Sequence, residues 1–323
     1  MRELASSYDE FKALGVGAAV LVTEGDQESA RKMATSAKAP FPAMSDRQAS
    51  SGSASTVHER YGVSYGTVYL LDARQTVRWA FFGDRRRRPR VEVVLHQAKR
   101  MLRRDAEPGA ADRALAGLQS RSVKEQLAAL GLLEVLTPPE GLSAVIALLE
   151  DETPAVAVGA ARVLRWYETR EVVAPLARAA QAGDTETRRA AARALVHLGD
   201  NVAPLREVNE FEYAEDALLL EAREILLPLA DQLLAEKDPE LAVVGARLYW
   251  RLAKVADQKR LLGLLTHQDP GVRLAGVGGL SKRRPDAQVL AELERLSKDP
   301  DPSVRGFAGL VSRQWRARLE RAR

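Results

Sequence analysis

The 323-residue chain carries 48 Lys and Arg against 44 Asp and Glu, is 46% hydrophobic and contains no cysteine. This is the balance of a folded globular protein with chain enough for about two domains, and the missing thiols exclude disulfides, thiolate metal sites, iron–sulfur clusters and a cysteine nucleophile within it. The net charge of +4 is unevenly placed, residues 1–105 holding 18 basic and 12 acidic side chains and the remainder 30 and 32, while no apolar run reaches the ~20 residues of a membrane helix and the opening residues have no signal-peptide pattern, so a cytoplasmic, non-membrane setting is expected.

In chain order, residues 1–104 read as α/β. Leu4, Tyr8, Phe11 and Leu14 give helical spacing over Glu3–Leu14, and the apolar run Val16–Val22 suits a buried parallel strand. A second helix is expected over Gln27–Ala37. Thr67–Leu71 and Val77–Phe82 follow as paired strands about the turn Asp72-Ala73-Arg74-Gln75, and a closing helix spans Val91–Leu102. With one additional strand at its start, this order of elements would be that of a thioredoxin fold.

Four blocks, Tyr8-Asp9-Glu10-Phe11-Lys12-Ala13-Leu14-Gly15-Val16, Phe41-Pro42-Ala43-Met44-Ser45-Asp46, Tyr61-Gly62-Val63 and Gly66-Thr67-Val68-Tyr69-Leu70-Leu71-Asp72 followed by Val77-Arg78-Trp79, are similar to consecutive blocks of the alkyl hydroperoxide reductase and thiol-specific antioxidant family of peroxiredoxins. The resemblance implies an incomplete thioredoxin-like domain over about residues 2–103. It also implies where that family's chemistry would sit, in a cysteine at the start of the first helix whose thiolate is stabilised by the helix N-terminus and an arginine. Met1 already lies inside that helix, Tyr65 and Gly66 stand where the arginine would be, and peroxidase chemistry by this polypeptide is therefore untenable. The strand that is missing would be central in the sheet, and its loss would leave two edges whose unpaired backbone groups each cost ~1–3 kcal/mol if buried. An upstream start with Met1 internal, direct pairing of the flanking strands, or a strand supplied by another segment or chain would each meet this; the uncapped Met1-Arg2-Glu3-Leu4 favours the first.

The densest charge is Arg85, Arg86, Arg87, Arg88 and Arg90 around Pro89. It offers contact to a polyanion or an acidic partner, or a solvated loop before the closing helix. Nucleic acid is the less favoured partner, since no aromatic pattern accompanies the run. Gly15-Val16-Gly17 precedes a strand and so is no dinucleotide fingerprint. His58, His96, His197 and His267 are scattered, and Ser50-Ser51-Gly52-Ser53-Ala54-Ser55 lacks a nucleophile elbow. No catalytic, cofactor-binding or metal-binding residue is nominated, and no cofactor is expected.

A linker is expected at 105–110, Asp105-Ala106-Glu107-Pro108-Gly109-Ala110, followed by an all-α array over 111–323. Its anchor is an acidic or proline turn leading into a small-residue helix. The clearest copies are Asp269-Pro270-Gly271-Val272-Arg273 and Asp301-Pro302-Ser303-Val304-Arg305, with weaker ones at Pro154, Thr185, Pro239 and Arg121. The intervals between anchors are 33, 31, 54, 31 and 32 residues, close to the length of a helix–turn–helix unit that stacks into a solenoid. Asp or Thr caps the first helix, Pro fits its first turn, and Val lies on the packed stripe. Second helices are expected at Gly141–Glu150, Val172–Gln181, Leu218–Leu234, Gln258–Thr266 and Ala287–Ser297.

The Asp-Pro-x-Val-Arg pattern before an alanine-rich helix resembles the HEAT-like repeats of phycobilin lyases, over about residues 111–318. It implies an α-solenoid and protein binding, and it does not imply lyase activity. The long interval holds the acidic-aromatic stretch Glu207–Asp216, either an insertion contributing to a binding face or a lengthened helix pair filling a gap. Trp166, Trp250 and Trp315 recur 12, 11 and 13 residues past their anchors and are read as closing each first helix against the next repeat. The function expected from the whole is a non-catalytic interaction scaffold whose second helices form a concave protein-binding face. The rival is a thiol peroxidase or oxidoreductase whose cysteine lies upstream of Met1, with polyanion binding through Arg85–Arg90 as a third reading.

Overall fold

The computed structural model describes residues 2–17, 20–22, 27–41, 43–45, 68–74, 76–81, 90–167, 169–198, 214–252, 258–281, 283 and 286–321. The chain divides into two compact units, one formed by Met1–Asp112 and the other by Arg113–Gly199 with Glu210–Arg323.

The first unit opens with α1 (Arg2–Ser6) and α2 (Tyr8–Ala13), where the sequence predicted one helix. The chain stops being helical at Gly15, whose φ of 73° only glycine adopts at low cost. There the Val16 N–H donates to the Phe11 carbonyl and the Gly15 N–H to that of Lys12, each at 2.9 Å, which closes the helix end in a Schellman arrangement. Strand β1 (Val20–Val22) pairs in parallel with β2 (Ala43–Ser45), and α3 (Gln27–Ser36) connects them. Strand β3 (Val68–Leu71) pairs antiparallel with β4 (Val77–Phe81) around a turn in which Asp72 Oδ1 accepts from the N–H groups of Arg74 and Thr76. Helix α4 (Val91–Ala106) packs Val94, Leu95 and Ala98 on Phe11 and Leu70, and Arg78 on β4 reaches the Asp105 carboxylate at 3.0 Å.

Among the described residues β1 and β3 do not pair with each other, so the direct pairing weighed from the sequence is not observed. The short β2 carries no periodicity to announce it, and three residues are too few for alternation to register. Between α4 and α5 (Ala110–Leu118) only Glu107, Pro108 and Gly109 lie outside helix.

The second unit is two rows of helices. One row stacks α6 (Val123–Leu136), α8 (Pro154–Leu164), α10 (Thr185–His197), α13 (Pro239–Arg251), α15 (Pro270–Ser281) and α17 (Pro302–Arg321), each packed on the next. The other holds α7 (Leu142–Ala147), α9 (Val173–Ala182), α12 (Arg223–Leu234), α14 (Gln258–Leu264) and α16 (Ala287–Leu296). Each second-row helix packs tightly against the first-row helix that follows it in sequence, so the hairpins close across the acid-proline turns. The single second helix predicted at Leu218–Leu234 is two, α11 (Ala214–Glu221) and α12, divided at Ala222.

The repeat motif works residue by residue. Asp269 Oδ1 accepts from the N–H groups of Gly271 and Val272, and Asp301 Oδ1 from those of Ser303 and Val304, which caps α15 and α17. Pro154, Pro239, Pro270 and Pro302 each occupy the first helical position, where no N–H is needed. Val272 and Val304 are fully buried. Arg273 donates to the carbonyls of His267 and Gln268 in its own turn and, through Nε and Nη2, to the Asp299 carboxylate of the next turn at 2.9 and 2.8 Å. Arg305 makes the first half of this pattern, with the Asp299 and Pro300 carbonyls.

The 54-residue interval leaves the stack unbroken. Helix α10 packs directly on α13, and Arg188 pairs with Glu236, Arg189 with Asp238, and Arg193 with Glu240. Arg251 donates to the carbonyls of Val196 and Leu198 at the end of α10. The first row is therefore continuous across the long interval. Of the stretch Glu207–Asp216, the part before Ala214 lies outside the described residues.

Candidate functional site

The two rows leave a groove of about 560 Å³ where α9 and α10 meet α12. Its base is apolar, Ala180, Leu229 and Leu233, because these positions face the shared core. Its rim is polar. Gln181 Nε2 donates to Gln232 Oε1 at 2.7 Å across the two second-row helices, and Arg188 both donates Nε to the Ala180 carbonyl at 3.1 Å and pairs with Glu236. That bond uses the Gln181 amino group and the Gln232 carbonyl, which leaves the Gln181 carbonyl oxygen as an acceptor and the Gln232 amino group as a donor on the rim, the two kinds of group a peptide main chain bonds to. Nothing in the groove is a nucleophile with an adjacent base.

Sequence reasoning did not single out Gln181, Gln232 or Glu236. The signal available was the interruption of alanine and leucine by a glutamine in two second-row helices, and it gains meaning only once those helices are neighbours.

Arg85, Arg86, Arg87 and Arg88 lie outside the described residues. Arg90 is exposed at the N-cap of α4, where its carbonyl accepts from the N–H groups of Val93 and Val94. Pro154, Pro239, Pro270, Val272, Arg273, Pro302, Val304 and Arg305 all sit in the turns and first-row helices, away from the groove lining. Trp250 lies over Gly278 of the next first-row helix, as expected, with its ring centroid 6.2 Å from that of Phe307, while Trp315, on the last helix, is buried. Trp166 is half-buried beneath the Arg165 guanidinium, 4.4 Å from its ring centroid. His267 accepts from the Asp269 N–H through Nδ1 and so belongs to a turn. Among the described residues no group of three or more His, Asp or Glu is placed to hold a metal ion, and no helix is long and apolar enough to cross a membrane.

A family model for HEAT repeats matches residues 142–208, from α7 through α10. No curated protein matches the chain. Among solved structures, an engineered protein aligns with a TM-score of 0.50 at 16% identity, over 70% of this chain and 65% of that one. An archaeal HEAT-like repeat protein from Thermococcus onnurineus NA1 aligns at 0.46 and 14% identity, over 69% and 93% of the two chains. A computationally designed armadillo repeat protein for modular peptide recognition aligns at 0.45 and 17%, over 63% and 98%. Over residues 142–208 the array is thus similar to HEAT repeats, as the motif resemblance implied. The matching family model lies outside the first unit, where a thioredoxin-like fold is not shown and redox chemistry has no support.

Proposed function

We propose that this chain is a non-catalytic scaffold that binds an extended segment of a partner protein along its second row of helices. The Gln181–Gln232 pair carries the reading: two amides held side by side over an apolar floor can bond a main chain while that floor accepts a side chain. Stacked repeats present such surfaces over long distances, and the HEAT-repeat match includes the helices that bear Gln181 and Arg188. Within this proposal residues 1–104, joined by the 105–110 linker to 111–323, form an incomplete thioredoxin-like domain without redox chemistry. Its support is the order of helices and strands, with β1 paired to β2 and β3 to β4.

The test is a selection of random peptides displayed against the intact chain, followed by titration of the winners. Gln232→Ala combined with Ala235→Arg, both exposed positions on the groove, is expected to weaken them by about tenfold or more, at the ~1.4 kcal/mol that one decade of affinity represents. Selected peptides that bind the double variant unchanged would place the binding surface elsewhere.

A further inference from the structure

At the end of the array α16 and α17 enclose a second groove, of about 450 Å³, whose lining contains four cations, Arg295, Lys298, Arg313 and Arg316, and one carboxylate, Glu294. Two of the cations are already satisfied. Arg295 pairs with Glu292 at 2.9 Å and Arg316 with Glu294. Among the described residues Lys298 and Arg313 have no carboxylate partner. Lys298 stands just past the end of α16, and Arg313 is on α17 with its guanidinium folded over Gly309. A methyl group at Gly309 would have Arg313 Nη1 3.5 Å away and Ser297 Cβ 3.8 Å away, so this glycine is the floor between the walls. The hydroxyls of Ser297 and Ser312 donate back to the carbonyls of Glu294 and Gly309. The cations of the groove without a carboxylate partner are therefore Lys298, past the end of α16, and Arg313, on α17.

We infer that this groove docks an acidic segment of a protein partner, pairing one carboxylate with Lys298 and another with Arg313; the inference rests on the protein-binding reading above and extends it to a second surface. Charge complementarity selects the occupant. Two separated cations match two carboxylates carried on one chain. A compact phosphate is a poorer match, because the groove lies at the C-terminal end of α16 and along the middle of α17, with no helix N-terminus to present converging backbone N–H groups. Arg313 supplies a planar fork for bidentate pairing and Lys298 a point charge, so the two carboxylates are held with different stringency.

The experiment measures fluorescence anisotropy of a labelled short peptide with alternating Asp and Glu against the intact chain. Its amide counterpart, built of Asn and Gln, is measured in parallel. Binding of the acidic peptide is expected to weaken about tenfold or more in Lys298→Glu/Arg313→Glu, as buried or facing like charges oppose association. Charge reversal at Arg178 and Arg247, exposed cations on α9 and α13 outside this groove, is expected to change it by no more than about twofold. The neutral pair Lys298→Gln/Arg313→Gln, which leaves no new repulsion in the fold, should show an intermediate loss. Equal weakening by the Arg178 and Arg247 reversals, equal binding of the amide peptide, or displacement by inorganic phosphate or an oligonucleotide at lower concentration than by free acidic peptide would overturn the assignment. Absence of any acidic-peptide binding would overturn it too, while peptides selected at the Gln181–Gln232 groove would remain a separate result.

Discussion

Replacing Gly245 with alanine places a methyl group at the crossing of α12 and α13. Built on the present backbone, its carbon would stand 2.7 Å from the Ala230 carbonyl oxygen, 2.9 Å from the Leu234 nitrogen and 3.1 Å from Leu233 Cβ. Ordinary contact distances are ~3.5–4.0 Å, and the first two obstacles are main-chain atoms of α12 that no side-chain rotation removes. The helices must separate by several tenths of an ångström, and a gap of ~0.5–1 Å forfeits a quarter to a half of each dispersion contact along the interface. Overpacking of this kind costs ~1–3 kcal/mol, against which alanine gains ~1 kcal/mol over glycine as a helix former. A backbone obstruction belongs at the upper end of that range, which leaves a net loss of ~1–2 kcal/mol. Gly131→Ala in α6 supplies the opposite sign, since no atom outside its own helix turns lies within 4 Å of the added carbon. It should stabilise by ~0.5–1 kcal/mol. Chemical denaturation followed by far-ultraviolet circular dichroism reads both, and in thermal melts each kcal/mol corresponds to about 2–4 °C for a unit of this size. A neutral or stabilising Gly245→Ala would refute the close crossing of α12 and α13, and with it the closure of hairpins across the acid-proline turns.

Two further outcomes bear on the turns. Removing Arg273 strands the Asp299 carboxylate, which is only 7% exposed, and the loss of a buried partner of this kind costs ~3–5 kcal/mol. Arg273→Ala should therefore destabilise the array far more than the apolar pair Arg273→Met/Asp299→Leu, and equal losses in a denaturation series would argue against a buried ion pair. Acid should act through Asp299 and through Asp184, the cap of α10. The Arg273 hydrogen bond holds Asp299 below the usual aspartate range, and the hydrogen bond from the Thr187 hydroxyl does so for Asp184. The stability they contribute is fully present above the unfolded aspartate value of ~3.9 and is lost as pH falls through their lower folded values. Denaturation midpoints measured from neutrality downward should hold until about that value and then fall, with a smaller fall in Arg273→Met/Asp299→Leu.

Much of the array was legible because its signals are local. The aspartate before Pro270 or Pro302 caps the helix it begins, Pro takes the first turn, and Val two residues on is carried into the core by helical geometry alone. The same holds for the Asp72 turn and for α4, whose apolar positions recur at helical spacing. The polar grooves were not legible, since Gln181 and Gln232 lie 51 residues apart and Lys298 and Arg313 are separated by a turn and most of a helix. No spacing rule links such pairs until two helices are laid side by side.

By itself the sequence determined the period of the repeat, the capping chemistry of its turns and the absence of any thiol chemistry in this chain, because each depends on residue type and on neighbours a few positions away. Tertiary structure alone decided which helix of each unit pairs most closely with which, that α10 stacks on α13 across the long interval, and that Arg273 finds its carboxylate in the following turn. Those outcomes rest on the fit of facing surfaces, down to a glycine hydrogen in place of a methyl at Gly245, and on salt links such as Arg189 to Asp238 that exist only after stacking has brought distant turns together.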